Sequence, residues 1–362
     1  MIPSEPASNK IAYLHGVETA VPEKWYSQDF ALQFFLGTDG MDERQRNFLK
    51  KIYAGSAIEK RHTVIDDYGK DPSEYTFYPP SRDLKPEPST EQRNDRYIEE
   101  ANRLSLRAAK GLLERFPRVQ PSDITHLITV SCTGFSAPGF DIHLVKELEL
   151  SRSARRYHLG FMGCYAALTG LSLAWEICRS QPDAKVLLVN VELCSLHLQQ
   201  KTDLDTMVAN AIFADGVSAA LISADPGDAV GACMALDSFH SQFLRDSEED
   251  MAWKIGNTGF DMKLSAYVPR IINRNIHDVL SGLLRKSGMQ QEDIDIWAIH
   301  PGGKAILQKV ETALDIESSA LQVSYDVLRE YGNMSSATIM FVLQRILEDE
   351  RYGNILALAF GP

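Results

Sequence analysis

Cys164 is a candidate nucleophile because of the sequence around it. It lies in FMGCYAALTG, where small residues precede a helical pattern, so its thiol is expected at a helix N-terminus. The positive end of a helix dipole and unpaired backbone N–H groups lower a thiol pKa and favour thiolate. The alternative is a buried, inert cysteine, which is the usual state of this residue.

His300 and Asn333 are two polar residues that could act with such a thiol. His300 follows the apolar stretch 294–299 and precedes Pro301-Gly302-Gly303. Its imidazole would stabilise a thiolate or an oxyanion, unless it is a core histidine with a satisfied hydrogen bond. Asn333 in YGNMSSA is either the N-cap of the next helix or an amide that donates to a developing enolate oxygen.

Composition excludes several classes of protein. The 362 residues carry a net charge of −12, with 44% hydrophobic and 24% charged residues, which is typical of a globular protein and argues against a nucleic-acid partner. The five cysteines are odd in number and form no C-x-x-C pair, so neither a disulfide framework nor a metal site is expected. The N-terminus does not look like a signal peptide, and no apolar run reaches the roughly 20 residues of a membrane span. These features predict a cytoplasmic protein.

The hydrophobic pattern alternates between strands and helices, which favours an α/β fold with a buried central sheet. Strands are predicted at 125–132, 185–191, 217–223, 294–299 and 355–360, and helices at 99–115, 165–179, 268–286 and 334–348.

Four landmarks recur in the same order, 169 to 171 residues apart. Gly111, Asp123, Gly163 and Lys185 in the first set correspond to Gly282, Asp293, Gly332 and Asn354 in the second. Chance could produce such short matches, but their common order and spacing favour two copies of one unit. We therefore expect an N-terminal half, 1–225, that carries Cys164 and a C-terminal half, 226–362, that carries His300 and Asn333, with matched helix starts facing a shared centre.

Five motifs resemble the type III polyketide synthases, the chalcone and stilbene synthase family. They are FMGCYAALTG, FADGVSAALI, HPGGKAIL, YGNMSSA and the terminal AFGP, in order over 124–362. The resemblance implies the thiolase fold, a duplicated α/β architecture with five layers, α-β-α-β-α. It also implies a homodimer that needs no cofactor other than its coenzyme A thioester substrates.

The resemblance implies a role for each candidate residue. Cys164 would accept an acyl group from acyl-CoA. His300 and Asn333 would bind malonyl-CoA and stabilise the enolate left by decarboxylation, which attacks the bound acyl group in a Claisen condensation. A charged His300 would also hold Cys164 as thiolate. The product would then cyclise to a pyrone or a resorcinol-type ring.

Further positions match the family's substrate-binding residues. The gate between the coenzyme A tunnel and the acyl cavity would be Phe213 and Phe260, and the cavity would be lined by Cys132, His197, Met251 and Ser335. Coenzyme A would contact Lys51, Gly302, Gly303, Lys304 and Ala305.

Departures from the plant enzymes predict a fatty acyl starter, as in bacterial alkylpyrone and alkylresorcinol synthases. The polar stretch Tyr68–Asn94 is interpreted as a surface loop, and the family pattern leads us to expect a short segment after Pro362. Competing interpretations are a ketoacyl synthase III or HMG-CoA synthase-like enzyme, a cysteine hydrolase, and an inactive binding protein. No motif supplies the general-base Glu of HMG-CoA synthase, and the charge of −12 does not favour an acidic carrier protein.

Overall fold

The structure, a computed structural model, describes residues 11–38, 40–244, 250–265 and 268–362. Residues 1–10, on which much of the signal-peptide interpretation rests, lie outside this part. The helices are α1 Gln28–Leu36, α2 Glu43–Gly55, α3 Thr90–Arg115, α4 Phe140–Glu147, α5 Ala166–Ser180, α6 Leu204–Ile212, α7 Val268–Ser287, α8 Lys304–Leu314, α9 Gln322–Tyr331 and α10 Thr338–Glu348. The strands are β1 Ala12–Ala20, β2 Trp25–Ser27, β3 Lys60–His62, β4 His126–Ser131, β5 Arg155–Gly160, β6 Lys185–Leu193, β7 Asp215–Ser223, β8 Met234–Leu236, β9 Met251–Gly256, β10 Gly259–Leu264, β11 Ile296–Ile299 and β12 Ile355–Leu358.

The largest sheet has six strands in the order β5-β4-β6-β7-β1-β8. Strand β4 runs parallel to β5 and β6, while β6–β7, β7–β1 and β1–β8 are antiparallel. Alternate residues of β4 and β6 enter two different cores: Leu127 and Leu187 face one, and Ile128 and Leu188 face the other. Because both faces are covered, these strands are almost continuously apolar.

Helices α5 and α10 lie between this sheet and a second one, formed by the parallel strands β11 and β12. Ala298 of β11 belongs to this inner core, whereas Trp297 and Ile299 share the other core with the buried faces of α7 and α8. Helix α3 covers the outer face of the six-stranded sheet. The predicted five-layered order is thus present.

The predicted repeat is visible in local geometry. A 3-10 turn precedes both β4 and β11, and each turn closes with the same contact. The Asp123 carboxylate accepts from the Gln120 N–H at 2.9 Å, and the Asp293 carboxylate accepts from the Gln290 N–H at 2.8 Å. Each strand then pairs in parallel with its partner, β6 or β12. Both copies therefore fold in the same way at this point.

The stretch 68–94 is not the surface loop that its composition indicated. Tyr68, Tyr78 and Leu84 are buried, and α3 already begins at Thr90. The buried carboxylate of Asp67 organises the segment by accepting hydrogen bonds from the backbone N–H groups of 76, 77 and 78 at 2.7 to 2.9 Å. The polar composition of the stretch does not reveal these few buried residues.

In the described part of the chain, no helix is long and apolar enough to cross a membrane.

Candidate active site

Two glycines with left-handed backbone introduce the matched helix starts. Gly163 has φ +75° and begins the 3-10 turn that holds Cys164 just before α5. Gly332 has φ +72°, ends α9 and precedes Asn333, which is followed by the turn Ser335–Ala337 and then α10. The two turns pack against each other, so the repeat brings Cys164 and Asn333 to one place. Glycine suits both corners because other residues adopt this conformation at a cost.

The Asn333 amide is held in one orientation. Its Oδ1 accepts from the Ser335 N–H at 2.8 Å, and its Nδ2 donates to the Gly302 carbonyl at 3.2 Å. The remaining amide hydrogen is directed to the Cys164 sulfur, which also receives a hydrogen bond from the Ser335 hydroxyl. This arrangement leaves a donor pointing at the position where an acyl group on sulfur would sit.

Burial dominates the ionisation of the Cys164 thiol. It raises the pKa of Cys164 to about 12, and the nearby carboxyl of Glu192 acts in the same direction. The hydrogen bonds from Ser335 and Asn333 oppose this rise without cancelling it. The thiolate expected from a helix N-terminus is therefore wrong for the resting site, because no cation in the described part of the chain is among the groups that shift this pKa and so compensates for the loss of water.

His300 is buried with both ring nitrogens unpaired by any described residue. Its backbone is fixed at the end of β11, since its N–H donates to the Leu358 carbonyl at 2.8 Å. Its ring stands over Gly302, where an added Cβ would lie 3.6 Å from Nε2. Burial lowers the pKa of His300 to about 3, so the ring is neutral and not the predicted imidazolium. Unpaired buried nitrogens are rare in native proteins, and here they indicate a place for a ligand.

Glu192 is a buried acid that the sequence analysis missed. Its Oε2 accepts from the Cys132 N–H at 3.0 Å and the Thr133 hydroxyl at 3.1 Å, and its Oε1 accepts from the Ser336 hydroxyl. Burial raises the pKa of Glu192 to about 7. An acidic residue at the end of a buried strand was the available signal.

A cavity of about 30 Å³ lies beside this site, between α6 and the β9–β10 hairpin. Its lining is Tyr26, Arg61, Cys194, Ser195, His197, Leu198, Gln199, Thr206, Ala209, Asn210, Phe213, Trp253, Phe260 and Met262. This volume accommodates about one or two waters, so an acyl chain must displace side chains to enter. A wider groove of about 680 Å³, next to β1 and α3, contains none of the predicted site residues.

Comparisons with known proteins bear on the whole chain. The family model "Chalcone and stilbene synthases, N-terminal domain" matches residues 4–226, and the C-terminal domain model matches residues 235–361. The chain belongs to the chalcone and stilbene synthase family. Its relatives include "Alpha-pyrone synthesis polyketide synthase-like Pks18" of Mycobacterium tuberculosis, 32% identical over 100% of this chain and 91% of the relative. Another is "Type III polyketide synthase A" of Arabidopsis thaliana, 30% identical over 97% and 90%.

Solved structures agree with that assignment. PKS-I from the brown alga Ectocarpus siliculosus superposes with a TM-score of 0.88 at 30% identity, covering 96% of this chain and 91% of that one. Tetrahydroxynaphthalene synthase from Streptomyces coelicolor, a bacterial type III polyketide synthase, gives 0.80 at 26%, covering 93% and 91%. The fold is therefore the predicted thiolase fold, and the protein is a condensing enzyme of the acyltransferase class.

Most residues that the family resemblance assigned to the substrate lie near one another. Phe213 caps α6 and bridges to Asn333, while Phe260 and His197 line the cavity. The Cys132 sulfur accepts from the Gly163 N–H at 3.0 Å, beside the nucleophile. Met251 begins β9, packs half-buried in the larger core and is not part of the cavity lining.

The residues assigned to coenzyme A lie further out. Lys51 is exposed on α2, and Lys304 and Ala305 are exposed at the start of α8. Gly302 and Gly303 are half-buried between α8 and His300. Gly302 contacts the triad twice: its carbonyl accepts from the Asn333 amide, and its N–H donates to the His300 carbonyl at 2.9 Å.

Proposed function

We propose that this protein loads an acyl-CoA starter on Cys164, extends it with malonyl-CoA and releases a cyclised α-pyrone. The observation that carries the proposal is that Asn333 joins the two other residues: its amide contacts Cys164, and it also donates to the carbonyl of Gly302, over which the His300 ring stands. Family membership supports the reaction class, and similarity to the mycobacterial α-pyrone synthesis enzyme supports the pyrone product. The two halves, 1–225 and 226–362, would supply the nucleophile and the enolate donors, respectively.

Loading requires the thiol to lose its proton as it attacks. We assign that proton to a free ring nitrogen of His300, which is neutral and therefore able to accept it. The Cys164 sulfur forms a bond to the acyl carbon, the bond to the coenzyme A sulfur breaks, and the proton passes from His300 to the departing thiolate. Neither an ion pair at rest nor a further cofactor is needed for this exchange.

Extension begins when malonyl-CoA loses carbon dioxide. The electrons of the broken C–C bond move onto the thioester oxygen, where an Nε2–H of His300 and the Nδ2–H of Asn333 would donate. Two aimed donors in a dry site stabilise such a charge strongly. The enolate carbon then forms a bond to the acyl carbon on Cys164, the bond from that carbon to the Cys164 sulfur breaks, and the sulfur leaves as a thiolate that takes up a proton while the extended chain stays on coenzyme A.

The substrate contacts follow the same proposal. Coenzyme A would bind near Lys51, Gly302, Gly303, Lys304 and Ala305, and Phe213 and Phe260 would separate its tunnel from the acyl cavity. Cys132, His197, Met251 and Ser335 would surround the growing chain. We propose a fatty acyl starter and a cytoplasmic location, with acyl-CoA and malonyl-CoA as the only small-molecule partners.

Carbon dioxide release from malonyl-CoA tests the proposed roles. Asn333→Ala is expected to slow release by about 10²- to 10³-fold, as for loss of one oxyanion donor. Cys164→Ala is expected to abolish chain extension while release continues, and Cys178→Ala, which changes a buried cysteine bonded to main-chain carbonyls, should leave both unchanged. Release at the wild-type rate in Asn333→Ala would contradict the enolate role.

Mass spectrometry of products from a panel of acyl-CoA starters tests the substrate. Long-chain starters are expected to give α-pyrones with the highest kcat/KM. A preference for aromatic or acetyl starters would remove the fatty acyl proposal while leaving the condensation chemistry intact.

We also propose a homodimer formed through β5. This strand is the edge of the six-stranded sheet, and five of its six residues are exposed. Tyr157 within the strand is exposed, and so are Phe161, which follows it, and Phe135, whose ring lies 6.2 Å from that of Phe161. An open edge with apolar neighbours is suited to pairing with a second copy.

A further inference from the structure

Arg61 is a buried arginine whose side chain meets the C-terminal end of α6. Its Nη1 donates to the carbonyls of Asn210 and Phe213 at 2.7 and 2.8 Å. Its Nε donates to the side-chain oxygen of Gln28 at 3.0 Å, and the Gln28 amide donates to the Ala211 carbonyl at 2.7 Å. Because the last turn of a helix leaves its carbonyls without partners inside the helix, Arg61 and Gln28 together cap three of them.

The carbonyl of Ile212, in the same turn, is bound by a residue of the candidate site. The Asn333 N–H donates to the Ile212 carbonyl at 2.9 Å, and the Asn333 carbonyl accepts from the Ala214 N–H at 2.9 Å. These two bonds make the parallel bridge between Phe213 and Asn333. The backbone of Asn333 is therefore held by the end of α6.

The aliphatic part of Arg61 packs against the residue that precedes Asn333. A Cβ added to Gly332 would lie 3.0 Å from Cγ and 3.1 Å from Cδ of Arg61. Arg61 thus contacts both supports of Asn333, the end of α6 through its guanidinium group and Gly332 through its methylene groups.

The positive charge of Arg61 is bound by neutral groups. Among the described residues no carboxylate forms an ion pair with it, although buried charges are usually paired. The carbonyls at the end of α6 carry the negative end of the helix dipole, which favours a cation there. The rings of Tyr26 and Tyr53 lie 5.1 and 5.8 Å from Cζ, within the range of cation–π contacts. The helix end and the two rings therefore take the place of a carboxylate.

We propose that Arg61 is a positioning residue, whose buried charge holds the end of α6 and thereby keeps the Asn333 amide directed at the enolate oxygen. Arg61 acts through the backbone of Asn333 and not by contact with the reacting atoms. This inference rests on the proposed function, because the enolate role of Asn333 is what makes its position matter.

Two substitutions separate the charge of Arg61 from its bulk. Arg61→Met keeps an unbranched side chain but removes every donor, whereas Arg61→Lys keeps a cation that can donate to the carbonyls of Asn210 and Phe213. We expect Arg61→Met to slow carbon dioxide release from malonyl-CoA by about tenfold, and Arg61→Lys to stay within about threefold of wild type, because small displacements of a reacting group have large effects. Equal losses in two folded variants would overturn the role of the charge. Arg61→Gln replaces Arg61→Met, with the same criterion, if the latter does not fold.

Arg93 supplies a matched control. It is also fully buried and donates to main-chain carbonyls, but to those of Leu196 and Leu198 and not to the end of α6. Thermal unfolding should therefore show a loss of stability in both Arg93→Met and Arg61→Met, and only Arg61→Met should change the environment of Asn333.

A double-mutant cycle with Asn333→Ala tests whether Arg61 acts through Asn333. If it does, Arg61→Met slows carbon dioxide release in the wild-type background and changes it by less than about twofold when the Asn333 amide is already absent. Independent effects of the two substitutions, or release at the wild-type rate in a folded Arg61→Met enzyme, would overturn the proposal.

Nitrogen-15 NMR of asparagine-labelled protein tests the positioning without relying on turnover. The signal of the Asn333 side-chain amide, identified by its absence in Asn333→Ala, should move in Arg61→Met and stay in place in Arg93→Met. An unmoved signal in folded Arg61→Met, or an equal movement in Arg93→Met, would overturn the proposal. If wild type releases no carbon dioxide with any starter, the proposed function fails, whereas the NMR result still decides whether Arg61 positions Asn333.

Discussion

Burial acts on both Cys164 and His300 in the candidate site, and no opposite charge from a described residue is among the groups that shift either pKa. The thiol pKa is raised and the imidazole pKa is lowered, so each group is neutral at rest. The hydrogen bonds that Cys164 receives come from neutral groups, Ser335 and Asn333. Charge therefore develops only when substrate arrives, at a point already supplied with donors.

Alkylation measures this resting state. With a thiol pKa of about 12, Cys164 should react with iodoacetamide at pH 8 at least about a hundredfold more slowly than free cysteine. Its rate should rise steadily above pH 9. Peptide mass spectrometry separates the reactions of Cys164 and Cys233, which are both partly exposed. A fast reaction that is constant below pH 7 would instead show a thiolate–imidazolium pair.

Glu192 predicts a particular dependence of stability on pH. Its pKa rises from an ordinary 4.5 to about 7 in the folded state. Between these values the folded protein keeps a proton that the unfolded chain releases, so raising the pH destabilises the fold. Glu192→Gln should therefore gain stability relative to wild type between pH 5 and 8, by up to about 3 kcal/mol.

Chemical denaturation at several pH values tests this expectation. The exposed Glu176→Gln is the control for simple loss of a negative charge. A difference between Glu192→Gln and wild type that does not change with pH would show that Glu192 ionises normally in the fold.

The sequence was sufficient to propose the three site residues, which remain a prediction, but it did not indicate their protonation. Cys164, His300 and Asn333 could be found because glycine-rich motifs surround them. Ionisation depends on burial and on side chains distant in sequence, such as Glu192, and no local motif encodes these. The helix-dipole argument for Cys164 failed because desolvation outweighs a partial charge at the end of one helix.

The proposed catalytic groups Cys164 and Asn333 lie at helix starts, not within helices. Gly332 ends α9 in a left-handed conformation, and a Cβ there would lie 2.9 Å from the Ile212 carbonyl oxygen. Gly288 follows α7 with nearly the same φ, +73°, but no described atom lies within 4 Å of such a Cβ. A side chain at position 288 would therefore meet left-handed backbone strain alone, whereas one at position 332 would meet the same strain and a steric clash.

Alanine at these two positions should give different results. Gly288→Ala should lose about 1–2 kcal/mol from left-handed strain alone and keep activity. Gly332→Ala should lose more stability and at least about tenfold in kcat, because the neighbouring Asn333 must shift. Denaturation and product assays measure both quantities. Equal effects on activity would show that crowding at Gly332 does not position Asn333.

Element boundaries followed the hydrophobic pattern where one face of an element was clearly buried. The predicted helix at 268–286 is observed as Val268–Ser287, and the predicted strand at 185–191 as Lys185–Leu193. The surface-loop prediction for the stretch 68–94 was wrong because the conformation of this stretch depends on Asp67, whose carboxylate accepts hydrogen bonds from backbone N–H groups. Backbone donors leave no signature in composition.

At the scale of the whole molecule, the open edge of β5 predicts an oligomer. Tyr157 lies in the middle of this strand and is 38% exposed. Tyr157→Glu should convert a dimer to a monomer, because two copies of the same charge would meet across a twofold axis. Sedimentation velocity measures the mass. Tyr352→Glu, at a residue 79% exposed and outside β5, is the control. A monomeric wild type, or a Tyr157→Glu dimer, would remove the proposed interface.

The overall architecture was predictable because the repeat and the family motifs indicate it independently. The width of the cavity was not predictable, since it depends on how Phe260, Met262 and Trp253 pack from a separate hairpin. Side-chain packing across elements distant in sequence is a property of the folded chain alone.

The matched helix starts have a consequence for the history of the chain. Equivalent positions of the two repeats hold different residues, a thiol at Cys164 and an amide at Asn333. Two identical copies encoded by one gene must carry the same residue at that position. A site with a thiol in one repeat and an amide in the other therefore requires two copies whose sequences are inherited separately. Because both copies lie in one polypeptide, every molecule contains the thiol together with the amide.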